Sequence, residues 1–212
     1  KKFNGSMQIG KFCQNSSTQL PKNPTVYKTM PRIKLINKSS KLFFNYLYSK
    51  RQNFLNEKTI VDNFQNFLHP LDKIHNWNRL YGKKGFFQFQ CQLLSENWVS
   101  VLKKIFIVIN QSSQIPFLPV IKSFSKKSIG ILSFPRKGIT FSVDFENNGL
   151  ESINLIRSLN DLTINEGGRI YLAKDALMSS KNFKDSYPLY EKFKAYRDPK
   201  ISSNMSRRLM GF

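Results

Sequence analysis

Gln88 and Gln90 stand two residues apart in the stretch FFQFQCQLL, and Thr140 and Ser142 repeat that spacing in GITFSVDF. On an extended chain a spacing of two sends both members of a pair to the same side. Carboxamides and hydroxyls gathered on one side of a sheet can donate to and accept from the hydroxyls of a neutral polyol. This face is polar yet short of charge for so basic a chain, although an ordinary solvent face would use the same residues. In IPFLPVIKSF, residues Leu118, Val120, Lys122 and Phe124 share one parity, so Lys122 projects from an apolar row. Such a lysine either meets an anionic or oxygen-rich ligand or snorkels its ammonium to water. Lys174 in GGRIYLAKD poses the same choice: it shares the parity of Ile170 and Leu172, and a strand ending at Ala173 places it at a sheet rim, where pockets open.

Other constellations carry less chemistry. His69 and His75 lie on a proline-containing turn with only Asp72 between them, a poor set of ligands, and no metal site is expected. A nucleophile elbow and a phosphate loop are both missing. Gly167-Gly168 falls between a helix and a strand, the reverse of the order that aims amides at a phosphate, so it reads as a helix C-cap. Cys13 and Cys91 cannot build a disulfide framework and read as reduced thiols.

The elements that must position these residues follow from periodicity. FFQFQCQLL alternates Phe87, Phe89, Cys91 and Leu93 against glutamines, hence a strand. Residues 96–111 place Trp98, Val101, Leu102, Ile105, Phe106 and Ile109 on one helical face, with Ser95 as N-cap. A strand through IPFLPVIKSF follows; then GITFSVDF as a strand, a helix from about Leu150 to Asn165, and GRIYLA as a closing strand. Two β-α-β units in series predict an α+β fold, an antiparallel sheet with helices on one face, of the split β-α-β kind. Upstream, residues 39–55 space Leu42, Phe43, Tyr46, Leu47 and Phe54 as one amphipathic helix, with Ser39 or Ser40 as N-cap. Residues 1–38, broken by Pro21, Pro24 and Pro31, read as an irregular lead-in. Residues 39–175 make the main domain. Residues 176–212, interrupted by Pro188 and Pro199, read as a helical tail that docks on a neighbour.

The chain has 212 residues and a formal charge of +21, which attracts polyanions: nucleic acid, anionic lipid headgroups or phosphorylated substrates. Part of that surplus reflects composition, because Lys, Asn, Ile and Phe abound while alanine occurs only at 173, 176 and 195. No zinc-finger spacing or RNP-like strand is present, so no specific nucleic-acid partner is expected. A non-enzymatic basic module binding nucleic acid or anionic membrane is the alternative reading of the charge. The apolar run from Trp98 to Ile109 is broken by Lys103 and Lys104 and is too short to cross a bilayer, so a cytoplasmic or peripheral location is expected. The chain opens without methionine and is expected to continue a longer polypeptide.

Taken in order, FLHPLDKIHNWNRLYGKKGFFQFQ, FLPVIKSF, LSFPRKGITFSVDF, GGRIYLAKD and DPKISSNMSRRL resemble the C-terminal half of the decaprenylphosphoryl-β-D-ribose 2′-oxidase family, flavoenzymes of the vanillyl-alcohol-oxidase type. The resemblance implies that residues 39–175 are a substrate or cap domain whose sheet covers an FAD, and that residues 1–38 and 176–212 join and dock on an FAD-binding domain supplied in cis or in trans. It implies two-electron oxidation of a secondary alcohol of a sugar, the 2′-hydroxyl of a polyprenyl-phosphate pentose. Gln88 and Gln90 would line the sugar pocket, with Leu118, Val120, Lys122 and Phe124 as a further wall. Tyr171 and Lys174 fall on the family's tyrosine and lysine beside flavin and substrate, where a cation stabilises charge gathering on the reduced ring. Thr140 and Ser142 depart from the pattern, since mycobacterial enzymes carry asparagine and cysteine there. That departure leaves the identity of the sugar open. A quinone electron acceptor, an NAD-dependent keto-sugar reductase and an anionic membrane surface are the further partners implied.

Overall fold

The computed structural model describes residues 7–12, 37–55, 58, 61, 64–69 and 76–211, and the chain divides into two compact units at Gly85. Cys13 and His75 lie outside the described residues. In the unit of residues 1–85, α1 spans Lys38–Leu55 and α2 spans Phe64–Leu68, followed by a 3-10 turn at Trp77–Tyr81. The cap of α1 is Asn37 rather than Ser39 or Ser40. The Ser40 amide donates to Asn37 Oδ1 and the Asn37 amide to Ser40 Oγ, both at 2.8 Å, which satisfies two donors reciprocally.

The unit of residues 86–212 is an α+β fold whose order is β1 (Phe86–Leu94), α3 (Trp98–Gln111), β2 (Phe117–Phe124), β3 (Gly138–Glu146), α4 (Leu150–Asn165), β4 (Arg169–Ile170), α5 (Ser180–Ser186), α6 (Tyr190–Lys194) and α7 (Asn204–Met210). The sheet order is β2-β3-β1-β4 with every neighbouring pair antiparallel. Each β-α-β unit therefore spans a strand belonging to the other, the split arrangement expected from the order of elements.

Alternation decides which side is buried. Phe89, Cys91 and Leu93 of β1 and Ile139, Phe141, Val143 and Phe145 of β3 meet Val101, Leu102, Ile105 and Ile109 of α3 and Leu155, Ile156 and Leu159 of α4 in one core. Phe106 meets Phe141 edge-on with centroids 5.5 Å apart. Ser95 does not cap α3; Asn97 holds that position, and its side-chain amide donates to the carbonyl of Glu166 at 3.0 Å. At the far end of α4, Gly167 (φ 77) donates to Ile164 and Gly168 to Thr163, the expected C-cap. Residues after 175 also enter this core, through Phe183, Tyr187 and Leu209.

Candidate functional site

The side of the sheet away from the core is built row by row from the register. Gln90 pairs with Ser142, and Ser142 with Val120; Gln92 pairs with Thr140, and Thr140 with Lys122; Gln88 pairs with Asp144. Directly paired residues point to the same side, so Gln88, Gln90, Thr140, Ser142, Val120 and Lys122 share this face as their parity predicts. Phe124, opposite Gly138, joins them. Thr140 orients its neighbour: Gln90 Nε2 donates to Thr140 Oγ1 at 3.1 Å, while Thr140 Oγ1 donates to the carbonyl of Cys91 at 2.9 Å. The Gln90 carboxamide oxygen is thereby turned away from the threonine.

Two expectations about this face need correction. It is not short of charge, because β3 runs on to Glu146 at the same parity and carries the buried carboxylates of Asp144 and Glu146 there. Leu118 also leaves the expected row. Between Phe117, opposite Asp144, and Val120, opposite Ser142, β2 holds one residue too many, and Leu118 takes a left-handed φ of 48. A bulge of this kind shifts parity by one, so Phe117 takes the place in the row that simple alternation assigns to Leu118. The following Pro119 is tolerated because β2 is an edge strand.

Lys174 reaches its position by another route than the one its parity suggests. The strand β4 has two residues, not the length of GRIYLA. Tyr171 extends the ladder by donating its amide to Gln90 O at 2.9 Å, which sets Tyr171 beside Gln90. Residues Leu172–Lys174 then form a 3-10 turn, closed by the Lys174 amide on Tyr171 O at 3.0 Å. The buried Asp175 carboxylate holds that turn off the sheet: Oδ1 accepts from the amides of Leu177 and Met178, and Oδ2 pairs with Arg208 at 2.8 Å. A strand cannot continue through a residue anchored in this way.

Because β4 pairs only with Cys91 and Gln92, the first half of β1 borders a cleft of about 110 Å³ instead of a strand. Gln88 and Gln90 lie along it, Lys174 and Asp175 form one wall, and Ile156 and Asn160 of α4 form the other. The structure thus brings Gln88, Gln90 and Lys174 together, with Lys174 exposed. Lys122 is exposed on the edge strand and does not line this cleft.

Three contributors escape a reading by alternation. Phe134, in the loop before β3, stacks tilted on Tyr171 at 4.6 Å and edge-on to Phe124 at 6.0 Å, joining two expected site residues through an aromatic bridge. Its position beside Pro135 in a loop gives no periodic signal. Asn160 is buried, and neither of its carboxamide atoms has a hydrogen-bond partner. Its spacing of four from Ile156 on α4 is the one clue that it faces inward. Arg136 donates Nε to Gln92 Oε1 at 2.8 Å and Nη2 to Gly167 O at 2.8 Å, which fixes Gln92 in a structural role. Desolvation lowers the pKa of the Arg136 guanidinium, and that of Arg169, from the ordinary value.

Chemically, the cleft sets the edge of β1 at Gln88 and Gln90 beside the Lys174 ammonium. The Asp175 carboxylate beside them is committed to Arg208 and two amides. Such a set binds and polarises oxygen atoms.

No family model matches the chain. A curated relative, the decaprenylphosphoryl-beta-D-ribose oxidase of Mycolicibacterium smegmatis, is 36% identical over 155 residues, which is 70% of this chain and 33% of the relative. The chain therefore spans about a third of the length of the curated relative it matches.

Proposed function

We propose that this chain, related to the decaprenylphosphoryl-β-D-ribose oxidases along a third of their length, is the substrate-facing part of an FAD-dependent oxidoreductase acting on a secondary alcohol of a sugar. The substrate class is a polyprenyl-phosphate pentose oxidised at its 2′-hydroxyl. The convergence of Gln88, Gln90 and Lys174 on one cleft carries this reading, supported by the relative's name.

The cleft suits one side of a flavin, and the Gly167-Gly168 turn does not suit its pyrophosphate. The exposed Lys174 ammonium at the cleft wall matches carbonyl oxygens on a pyrimidine edge. Gly168, in contrast, has no room for a phosphate: a Cβ there would stand 2.6 Å from Thr163 Cγ2 and 2.9 Å from Gln92 O. The pyrophosphate belongs on an FAD-binding domain outside these residues, in cis or in trans. FAD, when bound, supplies the two-electron acceptor.

This chain's residues bind and orient. The Gln88 and Gln90 carboxamides hydrogen-bond sugar hydroxyls, and Thr140 keeps the Gln90 amide in one rotamer. Lys174 places a positive charge where negative charge gathers in the transition state. The aromatic contacts of Phe134 with Phe124 and Tyr171 tie the edge strand β2 to the residue that follows β4.

The test uses the complete enzyme. Purified, it should show flavin absorbance that bleaches on adding a polyprenyl-phosphate pentose. Lys174→Ala should lower turnover by about 100-fold and leave the urea midpoint unchanged. Absence of flavin in the complete protein, or equal losses in turnover and stability, would overturn the assignment.

A further inference from the structure

The helix α1 carries a broad apolar face that no described residue of its own unit covers. Leu42, Phe43, Tyr46, Leu47 and Phe54 are between 49% and 74% exposed. Singly exposed apolar residues are ordinary, but five on one helix mark a surface that meets something other than water.

The charge of this stretch of sequence narrows what that is. Residues 1–56 contain eleven Lys and Arg and no Asp or Glu. On α1 itself Lys50 Nζ lies 5.7 Å from the Tyr46 ring centroid, and Arg51 is exposed. Beyond its end, Lys58 Nζ sits 4.0 Å from the centroid of Phe54. Cations therefore lie directly beside the rings instead of on a separate face. A lipid headgroup region accepts that mixture, because ammonium and guanidinium groups reach anionic headgroups while rings and leucines enter the acyl boundary. Nucleic acid would engage the charge and stack on the rings, but it offers nothing to Leu42 and Leu47. Among the described residues no helix is long and apolar enough to cross a membrane, so the contact is with a surface.

We infer that α1 is an interfacial helix that docks this chain on an anionic lipid surface. This inference does not depend on the oxidoreductase reading.

Flotation of the full chain with phosphatidylcholine vesicles, with and without phosphatidylglycerol, tests it. Binding is expected only where phosphatidylglycerol is present, and a Tyr46→Trp reporter, read as a difference from the parent chain, should shift to the blue. Lys50→Gln/Arg51→Gln and, separately, Phe43→Ser/Leu47→Ser should each weaken binding about tenfold or more, with helix content by circular dichroism unchanged. No binding to phosphatidylglycerol vesicles overturns the inference. Undiminished binding by Phe43→Ser/Leu47→Ser overturns it too, since charge alone would then account for the contact. A Tyr46→Trp signal that responds to a DNA duplex and not to vesicles would assign the face to nucleic acid instead.

Discussion

Helices α1 and α3 are written in the same local code and end in opposite environments. In α3, Val101, Leu102, Ile105 and Ile109 are at most 8% exposed, because a sheet face of matching phenylalanines and branched residues lies against them. In α1, Leu42, Phe43, Tyr46, Leu47 and Phe54 are at least 49% exposed. Helical periodicity announces that a face exists; only the presence of a complementary face decides whether it is buried. Charge follows the same division: residues 1–85 hold 16 Lys and Arg against 3 Asp and Glu, and residues 86–212 hold 18 against 10. The second unit balances much of its charge and packs its apolar residues, whereas the first concentrates both cation and exposed apolar surface.

The sharpest way to break this comparison is a truncation in the core. Phe141 is fully buried at the centre of the sheet against Phe106. Phe141→Ala should cost about 3–5 kcal/mol in urea unfolding. A loss under about 1 kcal/mol would mean that this core is as loosely engaged as the face of α1.

A somewhat smaller effect is expected at Asp175, which turns the chain off the sheet. Asp175→Ala leaves two amides and a half-buried guanidinium without their acceptor, and should cost about 2–3 kcal/mol. Asp175→Asn, which keeps Oδ1 as an acceptor, should cost about half as much. If both are neutral, the turn at Leu172–Lys174 is held by something else.

That ion pair also explains where local pattern stopped being informative. β1, β3 and α4 were legible because alternation and helical spacing are properties of adjacent residues. The end of β4 was not, since its cause is a carboxylate paired with an arginine 33 positions away. Leu118 was misplaced for a related reason: one extra residue between Phe117 and Val120 breaks the alternation at that end of β2, and only Pro119 hinted at an irregular edge. Gln88 and Gln90 stand on the face that alternation gives them because they lie on a regular strand, whereas Lys174 comes beside them through a 3-10 turn and not through strand parity. Asn160 and Phe134 went unseen, the first as a polar residue on an apolar helix face and the second as an aromatic in a loop.

Cys91 tests the packing of the same core at a scale of about 1 kcal/mol. Burial pushes its thiol from the ordinary value of 9.0 up to about 12. With the folded pKa above the unfolded one, the folded state holds the proton longer. The stabilisation is complete below about pH 9 and is lost as pH rises toward 12, by up to about 1.4 kcal/mol per unit. Burial raises the Tyr187 phenol in the same direction, so the measurement is a difference: unfolding free energy between about pH 9 and 10 should fall more steeply for the parent chain than for Cys91→Val. Parallel slopes would mean that water reaches the thiol.

The smallest expected effect is the one that defines the other side of the comparison. Phe43 is 63% exposed in the folded chain, so Phe43→Ala removes little surface that folding has withdrawn from water. Its cost in urea unfolding should stay under about 0.5 kcal/mol, one-sixth or less of the cost at Phe141. Truncations of a ring can be this cheap only when folded and unfolded states hydrate it alike. A cost above about 1 kcal/mol at protein concentrations where the chain is monomeric would show that the face of α1 is covered within the molecule. A cost that appears only at high concentration would show that a second copy covers it, because stability gained by association depends on protomer concentration. With neither, the face of α1 is free in solution, as docking on a lipid surface requires.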